Sequence, residues 1–242
     1  MFRKAVLVIH GFGGGTWENE YLVNYLKFNT NYDVYDFTLP GHNLDIINKV
    51  KYKDWVNASD DMVKKIIKKY GSLYVIGHSM GGVIASFLAS KHKQIKKLIL
   101  LSPAFEYINL NQNKEDIKEI IKSKDYKSKY EEHIYSEAFT KIFKIPLPTI
   151  LEFTKLVKHY KDDIKDVTCN TLIMHGTLDE IVPISSSDYA YNNIGSKVKH
   201  KTNIIDAKHR LLLGNKKEKI SEYIKIYLRG GLEWEFKKKL EI

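Results

Sequence analysis

Six short apolar runs recur along the chain, at residues 5–9, 34–37, 73–76, 98–101, 171–174 and 202–205. They are mostly β-branched residues and Leu, without regular alternation, which is how strands buried on both faces read. Amphipathic stretches separate them, most clearly at 17–27, 55–69, 82–91 and 216–228. In the last of these, Ile220, Tyr223, Ile224, Tyr227 and Leu228 share one helical stripe. Asn215 and Glu218 have capping-box spacing at its start, and Gly230-Gly231 supplies a stop. Strand and helix in alternation predict an α/β fold, a mostly parallel sheet with helices on both faces and right-handed crossovers.

The rhythm breaks once. Between Leu101 and Thr171 about 70 residues hold no convincing strand and read as helices at 114–123, 126–143 and 149–161, punctuated by Pro146 and Pro148. An insertion after one strand and before the next lies at the carboxyl ends of the strands, where ligands bind in open α/β sheets. The expected organisation is therefore a core of residues 1–103 and 167–242, with 104–166 a helical cap rather than an independent domain. Phe139, Phe143, Ile150, Phe153, Val157 and Tyr160 include helical spacings; packing is the first reading for them and the lining of an acyl or alcohol pocket the second. The tail Leu232-Glu233-Trp234-Glu235-Phe236 alternates and reads as packed on its own domain, with an added edge strand or dimer contact as alternatives.

Composition removes whole classes. One cysteine in 242 residues, Cys169, rules out an intramolecular disulfide framework and fits a reducing, cytoplasmic setting. No apolar run approaches the roughly 18 residues that span a bilayer, so integral membrane association is not expected. The run after Met1-Phe2-Arg3-Lys4 is too short for a signal peptide. The net charge of +10 invites a nucleic-acid reading, but only three of the 39 basic residues are Arg, the side chain suited to bidentate phosphate and guanine contacts. The Lys are scattered as on a solvated surface, so no nucleic-acid partner is expected. Residues 104–166 hold 12 Lys and 12 acidic residues, so the excess lies in the core.

Candidate chemistry begins at Gly77-His78-Ser79-Met80-Gly81-Gly82, which follows the run at 73–76 and precedes a helix. This is a G-x-S-x-G elbow in strand–turn–helix context. The tight turn projects the Ser79 hydroxyl, and side chains at Gly77 or Gly81 would clash. The Met80 N–H stands at a helix N-terminus, aimed at developing negative charge. A serine hydroxyl needs a base, and the base an orienting acid. Asp179 follows the run at 171–174 and His209 follows the run at 202–205, in the order nucleophile, acid, base. Asp206 and Glu180 are rivals for the acid; Asp206, three residues from His209 on the same loop, is poorly placed. The glycine run His10-Gly11-Phe12-Gly13-Gly14-Gly15 offers the Phe12 N–H as a second oxyanion donor. His10 reads as orienting the oxyanion loop, His42 as shaping a loop near the site, His78 as pointing away from the nucleophile with a binding role as the alternative, His175 as core or packed behind the site, and His92, His133, His159 and His200 as surface. No histidine pair has metal-ligand spacing with a third ligand, and Cys169 lacks elbow glycines, so neither a metal site nor a thiol nucleophile is expected.

On these motifs, with Leu39-Pro40-Gly41-His42 and His175-Gly176-Thr177-Leu178-Asp179-Glu180-Ile181-Val182, the chain resembles the α/β-hydrolase superfamily. More narrowly it resembles small bacterial carboxylesterases and monoacylglycerol-lipase-like enzymes with a helical cap. The resemblance implies a sheet of about six strands, ester hydrolysis through an acyl-enzyme without metal or organic cofactor, and Ser79, Asp179 and His209 as nucleophile, acid and base. It also implies a small-molecule ester substrate, short- to medium-chain acyl esters or monoacylglycerols. A thioesterase or acyltransferase would use the same residues, and a non-hydrolytic binding member is the alternative from another class. Lys208 stands where the family usually has Gly before the histidine. Monomer and homodimer both stay open.

Overall fold

The computed structural model describes residues 4–42, 50–106 and 147–230. Twelve elements follow in order among them: β1 (Lys4–Ile9), α1 (Glu20–Asn29), β2 (Tyr32–Asp36), α2 (Tyr52–Tyr70), β3 (Leu73–His78), α3 (Met80–Lys91), β4 (Ile95–Leu101), α4 (Leu147–Tyr160), β5 (Asn170–Gly176), α5 (Ser185–Asn193), β6 (Lys199–Ile204) and α6 (Lys217–Arg229). Short 3-10 turns cover Thr16–Glu18 and Lys161–Asp166. The strands form one six-stranded sheet in the order β2-β1-β3-β4-β5-β6, parallel at every pairing.

The side-chain alternation of a strand divides the core in two. Ala5, Leu7 and Ile9 of β1 pack with Trp55 and Val63 of α2 and Val83 and Leu88 of α3. Val6 and Val8 face the other way, onto Leu22 and Leu26 of α1 and Ile220 and Ile224 of α6. Both faces of β1 are therefore covered, which explains why its sequence carries no polar alternation. The chain leaves β1 toward β2 on one side and returns to β3 on the other. That reversal is the switch point at whose carboxyl end an open α/β sheet binds ligands, and it places the loops after β1 and β3 side by side.

Several expectations are revised in detail. The helix expected at 17–27 is a 3-10 turn followed by α1 from Glu20. The capping box at Asn215 and Glu218 does not form: α6 starts from Lys216, already helical at φ −91° and ψ −1°, with no side-chain cap. The Lys217 N–H bonds to the Gly214 carbonyl, so the chain enters α6 from a turn and Asn215 never occupies the cap position. Gly230 does end the helix, in the left-handed region at φ 94°. Helix α5 has no counterpart among the predicted elements. Of the span read as a cap, α4 buries Leu156 and Val157 in the same cluster as α2 and α3. The helices expected at 114–123 and 126–143, Phe139, Phe143, His133 and the tail from 232 to 236 lie outside the described residues.

Candidate active site

Only three non-glycine residues among those described have positive φ: Ser79 (54°), Ser102 (42°) and Asp206 (56°). Each stands just beyond the carboxyl end of a strand, β3, β4 and β6, so local backbone strain gathers along the carboxyl edge of the sheet. At Ser79 the turn is closed by backbone contact. A Cβ on Gly77 would lie 2.3 Å from the Gly81 carbonyl oxygen, and one on Gly81 would lie 2.4 Å from that of Ile9. The second contact seats the elbow against β1. The Ser79 N–H bonds to the Leu101 carbonyl and its own carbonyl accepts the Ala104 N–H, which fixes the turn between β3 and β4.

The loop after β1 lies directly against this turn. A Cβ on Gly11 would stand 3.1 Å from both the Ser79 Cβ and His78 Nδ1. His10 holds the loop: its Nε2 accepts the Leu39 N–H at 2.9 Å, so Nδ1 carries the proton and donates to the Gly11 carbonyl at 2.8 Å. Met80, first residue of α3, has no intrahelical acceptor for its N–H. The Phe12 N–H makes no hydrogen bond among the described residues. The Phe12 ring stacks on Phe153 of α4 with centroids 5.1 Å apart. It also meets Trp55 and His42 edge-on at 5.8 and 5.9 Å. Trp55 Nε1 donates to the Pro40 carbonyl, pinning the loop that carries His42. Burial first, and His10 beside it, push His42 down to about 4, so this wall is uncharged at neutral pH.

The loops after β5 and β6 bring Asp179 to His209. Asp179 Oδ2 accepts from His209 Nδ1 at 2.8 Å and lies 3.1 Å from His175 Nε2. Its Oδ1 accepts the N–H groups of Ile181 and Val182. Burial opposes charge on Asp179, but the bonds from His175 and His209 outweigh it and hold the carboxyl well below the usual carboxylate range. His209 is 4 % exposed. Burial pulls it below its ordinary value against the upward pull of Asp179, so it stands as a neutral base with Nδ1 as donor. The rival acids are placed differently. Glu180 Oε2 accepts the His209 backbone N–H, and Asp206 is exposed with its own N–H bonded to Thr177. Among the described residues no hydrogen bond joins the Ser79 hydroxyl to His209; such bonds are often long before substrate binds.

His78 Nε2 donates to the His209 carbonyl at 3.1 Å. Beneath the elbow lies a buried ion pair, Glu18 with Arg210, whose Nε is 3.2 Å from Glu18 Oε1. Neither residue was singled out by the sequence patterns. The available signal was the rarity of Arg, with Arg210 adjoining His209. Among the described residues no cluster of three His, Cys, Asp or Glu side chains could hold a metal ion.

The profile of the family described as Serine aminopeptidase, S33 matches residues 2–216. The thermostable monoacylglycerol lipase of Bacillus sp. (strain H-257) is 23 % identical over 218 residues, 85 % of this chain and 82 % of that protein. A solved structure reported with the metagenome-derived lipolytic enzymes LipS and LipT superposes with a TM-score of 0.74 at 20 % identity, covering 95 % of this chain and 96 % of that one. A soluble variant of the monoglyceride lipase of Saccharomyces cerevisiae, solved with a substrate analogue, gives 0.70 at 22 % identity, with 95 % and 87 % covered. The architecture is that of the α/β hydrolases.

Proposed function

The chain belongs to the serine aminopeptidase S33 family, and we propose that it is a serine hydrolase cleaving carboxylic esters through an acyl-enzyme, with Ser79, Asp179 and His209 as nucleophile, orienting acid and base. The observation that carries this reading is the 2.8 Å bond from His209 Nδ1 to buried Asp179, on loops that flank the Ser79 elbow. With its proton held at Nδ1, His209 has Nε2 free to take the Ser79 proton. The Ser79 oxygen then bonds to the ester carbonyl carbon, and the carbonyl electrons move to oxygen. The N–H groups of Phe12 and Met80 receive that oxyanion; removal of one such donor costs about 3 kcal/mol in barrier elsewhere. Collapse expels the alcohol, which takes its proton from His209 Nε2. A water, deprotonated by the same nitrogen, then releases the acid and regenerates Ser79. This route needs neither a metal nor an organic cofactor.

The substrate proposed is an uncharged short- to medium-chain ester or a monoacylglycerol. Two things support it: the apolar wall of Phe12, Trp55 and Phe153, and the monoacylglycerol lipase named among the relatives. A fluorophosphonate probe, with peptide mass mapping, is expected to label Ser79, and S79A to lose both label and turnover. A panel of p-nitrophenyl esters of graded length, monoacylglycerols, acyl thioesters and aminoacyl p-nitroanilides reads the substrate class. Preference for the anilides or thioesters over every ester overturns the ester assignment, and label or turnover surviving in S79A overturns the nucleophile.

A further inference from the structure

Glu18 is a carboxylate where a carboxylate is expensive to place. It is 4 % exposed, and burial alone drives such a group toward its neutral form. The Arg210 charge beside it outweighs that and holds it below the usual carboxylate range, so it is ionised at neutral pH. Its two oxygens are committed. Oε2 accepts the Gly11 N–H at 3.2 Å and lies 3.6 Å from His78 Nδ1. Oε1 takes Arg210, whose guanidinium also lies over the Trp17 ring at 4.9 Å. The loop closes over the carboxylate so tightly that a Cβ on Gly14 would stand 2.1 Å from Oε2.

Glu18 holds Gly11 and Arg210 directly and lies beside His78, and each of these three residues is one position from the proposed machinery. Gly11 precedes the Phe12 donor, His78 precedes Ser79, and Arg210 follows His209. The His78 ring completes the loop of contacts through its bond to the His209 carbonyl. We propose, resting on the serine-hydrolase reading above, that Glu18 is a positioning residue: its carboxylate, clamped by Arg210, ties the oxyanion loop to the base loop, which His78 in turn joins to the nucleophile elbow, and so keeps the three in register. Stability is a poor account of the pair, because a buried ion pair replaced by apolar groups of similar volume is often no less stable. An apolar pair could not accept the Gly11 N–H and so could not tie the oxyanion loop to Arg210 of the base loop. A misplacement of about 1 Å in such a site can cost about a hundredfold in rate.

The test compares wild type, E18Q, R210K and the double variant E18Q/R210M with p-nitrophenyl butyrate. Turnover is expressed per native molecule, using the native fraction from circular dichroism, and Tm is recorded alongside. E18Q is expected to lower kcat by about 10- to 100-fold with KM little changed. R210K, which keeps the charge but loses the planar fork, is expected to show a smaller fall of the same kind and carries the test if E18Q does not fold. The double variant leaves no unpaired buried charge, so its Tm recovers toward wild type while kcat stays low. Wild-type kcat per native molecule in the double variant or in R210K overturns the proposal. So does a loss of activity that the unfolded fraction accounts for entirely, which is all a structural role predicts. Wild-type protein that neither turns over esters nor labels at Ser79 is a different result: it removes the hydrolase reading, and the positioning role with it.

Discussion

The substitution Asp179→Asn tests the proposed base more sharply than any truncation, because the surrounding hydrogen bonds dictate how the amide must sit. Oδ1 accepts two backbone N–H groups, from Ile181 at 3.0 Å and Val182 at 2.9 Å. An Asn would keep its carbonyl oxygen there, since the reversed amide would set NH2 against two backbone N–H donors, which, unlike the His175 and His209 rings beside Oδ2, cannot move their proton, and would lose two bonds of about 1 kcal/mol each. The NH2 group then takes the place of Oδ2, facing His209 Nδ1 across what was a 2.8 Å bond. As NH2 only donates, Nδ1 must become the acceptor and the imidazole proton moves to Nε2. That tautomer cannot accept the Ser79 proton. The expected loss is about 10⁴-fold in kcat, equivalent to ~5 kcal/mol of barrier. Steady-state turnover of p-nitrophenyl butyrate measures it, with circular dichroism to establish that the variant is folded and D206N as a control that stays near wild type. A D179N enzyme within about tenfold of wild type, a barrier change of only ~1.4 kcal/mol, would refute the tautomer argument. It would also move attention to Glu180, which already holds the His209 backbone N–H.

Two further outcomes follow from the same loops. His209 must be neutral to act as a base, and burial pulls it below 6.5 while His78 also lowers it and Asp179 and Glu180 raise it. Activity should therefore persist as pH falls through 6.5 and be lost only below it; an acid limb of kcat/KM at or above 6.5 contradicts the burial argument. A Cβ on Gly176, the last residue of β5, would meet the Ala207 carbonyl oxygen at 2.2 Å. G176A should thus push the His209 loop outward, lowering stability by about 1–3 kcal/mol together with kcat, whereas an unchanged Tm and kcat in thermal melts and ester assays would show that the loop yields freely.

Much of the frame was legible because it depends on local rules. The buried central strands β1, β3, β4 and β5 announce themselves as near-continuous apolar runs, while the runs at 34–37 and 202–205, which include Asp36 and Asn203, overlap the half-buried edge strands β2 and β6. Gly77 is readable for the same reason, since a Cβ there would meet the Gly81 carbonyl within the turn itself, and Gly81 through the same motif, although its close contact is with the backbone of β1. The placement of Asp179 and His209 after successive strands was readable from chain order; that β5 and β6 are neighbours, which brings the two side chains together, is a property of the sheet. What escaped was set by tertiary contact. Helix α5 is Ser-Ser-Ser-Asp-Tyr-Ala-Tyr-Asn-Asn, a run of weak helix formers with no apolar stripe. Its place is given by Ser186, whose hydroxyl donates to the Pro103 carbonyl at 2.5 Å and accepts the Glu106 N–H at 2.9 Å, more than 80 positions away in one case.

Glu18 escaped for a different reason. An isolated acidic side chain reads as surface, because carboxylates are almost never fully buried unless paired. Its partner Arg210 lies far off in sequence, so only the closed fold reveals the pair. Yet the composition carried a trace of it. In a chain that places Lys at nearly every basic position, the exceptions need a reason, and the weakly hydrated guanidinium is better suited than an ammonium to a buried ion pair. Of the two Arg among the described residues, Arg229 bonds the Asn29 carbonyl at the surface. Arg210 pairs with Glu18 and lies over Trp17 while itself buried, whereas Lys91 and Lys225, which also pair with a carboxylate and lie over a ring, keep more of their side chains in water. The net charge of +10 therefore carries less functional information than the identity of its rarest contributor: the scattered Lys set the surface, and one Arg beside His209 locates the buried carboxylate around which the proposed site is assembled.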